Sequence, residues 1–189
     1  MVEATVARFG RLDVLVNNAA VTFVGDLDIP LRRHELIMAI NLHAPFLAIR
    51  AARPHLAERG GAIVNVSSVA ALEPYPGLMS YGMSKAALER LTVDAARQLA
   101  PEGIAVNCFR IDVPVASEGF VANAPDLDHG DWEPCEVAAE GIVWVLRQPA
   151  TYTGRLDSMA QLREREGIMA SRATRPYLGT PPTVPVQGA

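Results

Sequence analysis

The sequence predicts an α/β fold in which a parallel sheet is covered by helices on both faces. Three observations carry that prediction. Short apolar runs at Leu12 to Val16, Ala62 to Val66 and Ile104 to Phe109 have the length and composition of buried strands. Longer stretches with helical spacing separate them, and strand–helix alternation argues for parallel pairing. Turn-forming or polar residues follow each run: Asn17 and Asn18, Ser67 and Ser68, then Arg110 and Asp112. The carboxyl ends of parallel strands are where such sheets gather their chemistry.

Met1 to Phe9 reads as the last turns of an amphipathic helix, with Gly10 at the stop. The run Asp13 to Val16, with Leu12, reads as a strand buried on both faces. Leu31 to Arg59 is helical, with apolar positions at Leu36, Ile40, Leu47 and Ala51 and a kink or division expected at Pro45. Met79 to Ala100 is a helix apolar around much of its girth, suited to burial or a subunit contact. Asp112 to Asp131 reads as a loop, and Pro134 to Arg147 as a helix with proline near its first turn. Thr151 to Ser158 is a candidate last strand, and Gln161 to Gly167 a short charged helix. Arg175 to Ala189 carries four prolines and few apolar anchors, as expected of a flexible tail.

Half of the 189 residues are hydrophobic and 20% are charged, which excludes a disordered or collagen-like chain. Seventeen basic residues stand against twenty-one acidic ones without long blocks, so neither a nucleic-acid footprint nor a polybasic membrane patch is expected. Cys108 and Cys135 lie far apart, outside any CxxC or Cys/His spacing. They imply neither a disulfide framework nor a metal centre, and a reducing cytoplasm is the expected setting. No apolar run approaches the roughly 20 residues of a spanning helix, and Glu3 and Arg8 stand where a signal peptide would be apolar. A soluble, unexported protein is expected.

Tyr81 and Lys85 stand four residues apart at the start of a helix, which puts their Cβ atoms about 5–6 Å apart on one face. An ammonium beside a phenol favours the phenolate, lowering the tyrosine pKa from about 10 toward neutrality and making it a usable acid and base. Ser68 ends a strand thirteen residues earlier, and Asn41 interrupts the apolar run Met38 to Leu42. Each has a purely structural alternative: an exposed Tyr/Lys neighbour pair, a serine capping the next turn, and an asparagine kinking a helix or satisfied in the core.

The segments Asp13-Val14-Leu15-Val16-Asn17-Asn18-Ala19-Ala20, Ile40-Asn41-Leu42, Ile63-Val64-Asn65-Val66-Ser67-Ser68 and Tyr81-Gly82-Met83-Ser84-Lys85, in that order and spacing, resemble the short-chain dehydrogenase/reductase family. The resemblance runs from residue 1 to about 168. It implies a Rossmann-like domain and an oxidoreductase using NAD or NADP on an alcohol or carbonyl. Tyr81 would be the acid/base, Lys85 would lower its pKa and hold the nicotinamide ribose, Ser68 would orient the substrate oxygen, and Asn41 would support a proton-relay water. Asn17, Asn18 and Ala19 would contact the adenosine side of the cofactor, and Val113 would cover the nicotinamide. A dimer or tetramer would form through the helices around Asn41 to Leu56 and Met79 to Ala100. The carboxyl-terminal half, with Tyr152-Thr153-Gly154 and Glu164 to Ile168, is most similar to the hydroxysteroid dehydrogenase-like and citronellol dehydrogenase-like branches.

The chain departs from the family pattern twice. Ile111-Asp112 replaces the usual Pro-Gly, so the nicotinamide pocket is expected to change shape or to be filled by Asp112. The first strand, its glycine-rich turn and the following βαβ elements have no counterpart, because no glycine triplet here lies between a strand and a helix. The chain should therefore hold strands four to seven of the family sheet, with residues 1–168 as the last two-thirds of one domain and 169–189 as a tail. An unpaired apolar strand edge should result. Two functions follow as expectations: an oxidoreductase inactive without the missing half, or a non-catalytic remnant serving as an oligomerisation or interaction subunit. Phe120 and Trp132, in and beside the 112–131 loop, point to a small hydrophobic alcohol or carbonyl substrate, or simply pack on the domain.

Overall fold

A computed structural model describes residues 1–123, 125, 126 and 128–171. Most of the expected tail, residues 172–189, lies outside the described residues.

The sheet has four parallel strands in the order β1 (Val14–Asn17), β2 (Gly61–Ser68), β3 (Ile104–Ile111) and β4 (Leu156–Ser158). Its register sets Asn17 opposite Asn65, Asn65 opposite Cys108, and Ser67 opposite Arg110. Helix α1 (Val2–Phe9) precedes β1, α2 (Leu31–Met38) and α3 (Ala44–Ala57) form the crossover from β1 to β2, and α4 (Met79–Leu99) forms the crossover from β2 to β3. Helices α5 (Glu118–Asn123), α6 (Cys135–Leu146) and α7 (Met159–Glu166) complete the chain. Side-chain alternation along β2 and β3 divides the apolar residues between two layers. Ile63, Ile104 and Val106 pack with Ile49, Ala52, Leu56 and Leu99 of α3 and α4. Val64 and Phe109 pack with Val137, Val145, Met159 and Leu162 of α6 and α7. Helices therefore cover both faces, as the alternation of elements predicts.

Local chemistry explains the helix ends. Gly10 takes the left-handed conformation at φ 75° and donates its N–H to Val6 O at 2.7 Å, closing α1. Ser158 and Gln161 form a reciprocal capping box at the start of α7, which begins two residues earlier than expected.

Several expectations are corrected. β1 is not buried on both faces: Leu15 enters the α3/α4 layer, whereas Val14 and Val16 are 40% and 38% exposed. The second layer is built over β2 and β3 and does not reach β1, whose valines stay partly exposed on that side. The long helical stretch divides at a π-helical turn over Ala39–His43, just before Pro45, rather than at the proline itself. Ala44 donates to Ala39 O across this wider turn, and Pro45, at the start of α3, has no N–H to give to the Asn41 carbonyl. Counted as one helix, Leu31–Ala57 has the length and apolarity of a membrane span, contrary to the expectation that no stretch approaches it. Here Ile37, Ile49, Ala52 and Leu56 of that stretch are buried inside the protein.

The last strand is confined to Leu156–Ser158, because Gly154 adopts φ 74° and Tyr152 closes a turn onto Pro149. The 112–131 loop contains α5, and Val115 forms an isolated bridge with Glu133. Core packing reaches Met169, which is fully buried and whose N–H and carbonyl bond Glu140 and Arg163.

Candidate active site

β2 delivers Ser68 at its carboxyl end, and α4 delivers Tyr81 and Lys85 in its first two turns. Gly82 makes the approach possible: a Cβ there would stand 2.6 Å from Ala70 O, in the 3₁₀ turn that follows Ser68. Only glycine lets α4 lie this close to the end of β2. Ser68 Oγ accepts from Ala70 N at 3.3 Å, so it caps the next turn as well as facing the tyrosine.

The Lys85 ammonium is buried, donates to Val66 O at 2.7 Å and lies 5.5 Å from the centroid of the Tyr81 ring. Burial lowers the Lys85 pKa to about 8. Burial also raises the Tyr81 pKa, and the Ser68 hydroxyl offsets part of that rise. This corrects the expectation of a tyrosine pulled toward neutrality by its lysine. Tyr81 is a protonated phenol at neutral pH, because the desolvation of its anion outweighs the stabilising groups around it.

Asn41 is almost fully buried and satisfied. Its Oδ1 accepts from Val21 N at 2.8 Å, and its Nδ2 donates to Val21 O at 2.9 Å and Ser84 Oγ at 3.1 Å. The side chain therefore ties the segment after β1 to α4. Asn17 donates to Asn65 Oδ1 at 2.8 Å, and Asn65 donates to Thr92 Oγ1 at 2.9 Å, a polar bridge across β1, β2 and α4. Asn18 and Ala19 are exposed beyond the end of β1. Val113 packs against the α6/α7 layer. Asp112 Oδ1 accepts from Ala160 N at 3.1 Å, which commits this carboxylate to the first turn of α7 rather than to filling a pocket. Phe120 and Trp132 stack with centroids 4.6 Å apart; Trp132 is buried and Phe120 is not.

The structure thus brings Ser68, Tyr81 and Lys85 together, with Asn41 one hydrogen bond from α4. Sequence reasoning missed Gly82 as the close-approach residue, the Asn65–Thr92 bridge, and a buried Glu89–Arg110 ion pair. The last two left a signal, since Asn65 and Arg110 are polar residues inside otherwise apolar strands. An open cavity of about 820 Å³ lies beside the start of α4, lined by Met79, Gly82, Met83 and Ala86 together with Ala70 and Tyr75. Ser68, Tyr81 and Lys85 do not line it.

A family profile for short chain dehydrogenase matches residues 1–115. 2-(R)-hydroxypropyl-CoM dehydrogenase of Xanthobacter autotrophicus is 32% identical over 168 residues, which cover 80% of this chain and 66% of the relative. Dehydrogenase/reductase SDR family member 4 of Bos taurus is 42% identical over 112 residues, 58% of this chain and 40% of the relative. Among solved structures, acetoin dehydrogenase YohF from Salmonella typhimurium matches with a TM-score of 0.73 at 27% identity, over 84% of this chain and 67% of that one. ElxO with NADP bound matches with a TM-score of 0.74 at 26% identity, over 84% and 69%. The chain spans two-thirds or less of the curated relatives it matches here. With its parallel sheet, its Ser68–Tyr81–Lys85 cluster and a profile match over more than half its length, this chain belongs to the short-chain dehydrogenase/reductase family.

Proposed function

We propose that this chain is the catalytic portion of an NAD- or NADP-dependent oxidoreductase that interconverts an alcohol and a ketone or aldehyde. The observation that carries the reading is the convergence of Ser68, Tyr81 and Lys85 at the carboxyl end of β2, with a protonated phenol beside a serine hydroxyl and a buried ammonium. Ser68 orients the substrate oxygen, and Tyr81 donates a proton to a carbonyl oxygen or accepts one from an alcohol. The Asn41 carbonyl, which Pro45 cannot engage, supports a relay water.

The donor set suits the nicotinamide end of a dinucleotide. Lys85 has three N–H donors and gives one to Val66 O, which leaves two for the paired hydroxyls of a ribose. Val113 would cover the nicotinamide, and Asn17, Asn18 and Ala19, at and beyond the end of β1, would contact the adenosine side. The cofactor supplies or takes the hydride. Among the described residues no spaced-glycine turn opens a helix, so none offers the pyrophosphate a comparable holder. Turnover therefore needs a phosphate-holding segment in addition to these residues.

The stacked Phe120–Trp132 pair favours a hydrophobic substrate. Exposed Phe46 and Leu47 on α3, with Met79, Met83 and Val93 on α4, support a homo-oligomer through these helices. Two free thiols suit a reducing cytoplasm.

The test has two arms. Alone, the 189 residues should bind NAD(H) and NADP(H) no more tightly than about millimolar, roughly 4 kcal/mol. Joined behind the first third of the hydroxypropyl-CoM dehydrogenase relative, they should turn over apolar carbonyls. Tyr81→Phe should then lower turnover at least about 100-fold, the usual scale of a lost proton-transfer group. Activity within about tenfold of the parent would overturn the assignment of Tyr81.

A further inference from the structure

Lys85 is the sole lysine of the chain, against sixteen arginines. On α4 the residues Lys85, Glu89 and Thr92 are all buried toward the sheet, at i, i+4 and i+7. A carboxylate four residues from a lysine on one helix face is within its reach, even in this lysine-first order. Glu89 is not used in that way. Arg110 on β3 takes both of its oxygens, Nε to Oε1 at 2.8 Å and Nη2 to Oε2 at 2.7 Å, in a fork that only a guanidinium can make. Both side chains are at least nine-tenths buried. The Lys85 ammonium instead reaches the other way, to Val66 O and the Tyr81 ring.

We propose that Arg110 is a positioning residue for Lys85: by holding both oxygens of Glu89 it keeps that carboxylate from pairing with the lysine and leaves the ammonium at the Tyr81 face. The functional weight of this inference rests on the oxidoreductase reading above, in which Lys85 serves the cofactor.

The surroundings are electrically simple. Tyr81 on α4 and Cys108 on β3 stand nearest the lysine, Glu89 and Arg110 act on Cys108 in turn, and the Val66 carbonyl and Ser67 hydroxyl of β2 carry no charge. Burial and the Glu89 carboxylate push the Cys108 thiol up to about 12, so it is neutral. His34 on α2 is engaged with Ser80 Oγ at 2.9 Å, and Asp112 acts on Arg110 from beyond the end of β3. Without Arg110, Glu89 would be a buried carboxylate with Lys85 as the cation on its own helix face. Losing one partner of a buried pair leaves an uncompensated charge that must find another partner or take up a proton.

Because there is one lysine, protein grown with ¹³Cε-lysine gives a single side-chain signal whose pH titration reports Lys85 alone. The wild-type midpoint should be about 8. Arg110→Met should raise it by at least about one unit, the usual effect of an opposite charge brought near. Arg110→Met with Glu89→Met should return it to within about half a unit of wild type, since both charges are then gone. Glu89→Gln alone, which removes the carboxylate and leaves the Arg110 charge uncompensated on the sheet face below α4, should lower it. A folded Arg110→Met protein with an unmoved midpoint would overturn the proposal. If that variant does not fold, Glu89→Gln decides, and a midpoint that stays or rises overturns it. The titration needs neither substrate nor cofactor, so its failure is distinct from retained turnover in Tyr81→Phe.

Discussion

The Asn41 carboxamide donates to the Ser84 hydroxyl at 3.1 Å, across 43 residues of sequence, and so fastens the π-helical turn to the helix that carries Tyr81 and Lys85. The same side chain makes two bonds to the backbone of Val21. Asn41→Leu keeps the volume and leaves the Val21 N–H and carbonyl without their partner. A loss of about 1–3 kcal/mol is expected for such an orphaned polar group, and two are created here. Urea unfolding followed by circular dichroism measures it, and an unchanged midpoint would show that Asn41 is not a structural tie.

Gly82→Ala should destabilise the protein although alanine ordinarily strengthens a helix by about 1 kcal/mol over glycine. The new methyl would fall 2.6 Å from Ala70 O, so α4 or the 3₁₀ turn must move. A net cost of about 1–3 kcal/mol is expected from such overpacking. Thermal unfolding checks the sign, and a higher midpoint would contradict the close approach.

Lys85 should make stability depend on pH in a defined window. Its folded pKa is about 8 and its ordinary value 10.5, so between those values the unfolded chain binds a proton that the folded chain has released. Stability contributed by this group therefore rises with pH from about 8 to about 10.5. Below pH 8 the buried ammonium carries a net cost of about 3 kcal/mol. Lys85→Met should accordingly be more stable than wild type at pH 7, and the difference should shrink toward pH 10.5. Measuring the gap between pH 7 and 9, below the raised Cys108 value of about 12, keeps that thiol neutral in both folded proteins. A gap independent of pH would refute the assignment.

The two thiols should react at very different rates. Cys108 lies on β3 with no exposure and its thiol is pushed up to about 12, whereas Cys135 is exposed at the start of α6. Brief treatment of the native protein with a maleimide should modify Cys135 alone, and both residues after denaturation. Mass spectrometry of the peptides reads the outcome, and rapid native labelling of Cys108 would mean that β3 opens.

Much of the architecture was legible in the residues because it depends on short-range rules. Apolar runs of strand length at 62–66 and 104–109, bounded by Gly-Gly and Pro-Glu-Gly breaks, place β2 and β3 within two residues of their ends. Gly10 and Gly167 stop α1 and α7 because left-handed backbone is cheap for glycine. The four-residue spacing of Tyr81 and Lys85 on one helix likewise puts both side chains on one side of α4.

Tertiary structure decided what depends on neighbours distant in sequence. Whether β1 is covered on one face or two is set by where α6 and α7 lie, not by Leu12 to Val16. The break at Gly154 depends on how Thr153 and Gly154 bond Val106 across the sheet. The electrostatics of the site changed most: helical spacing brings a phenol and an ammonium together, but burial determines which form of each is favoured. Desolvation keeps Tyr81 protonated and lowers Lys85, while Arg110, 25 residues along the chain from Lys85, takes the carboxylate that the lysine's own helix offers it. Sequence determined which groups stand at the end of β2; their charge follows from solvent exclusion and from partners on another strand, which no local pattern encodes.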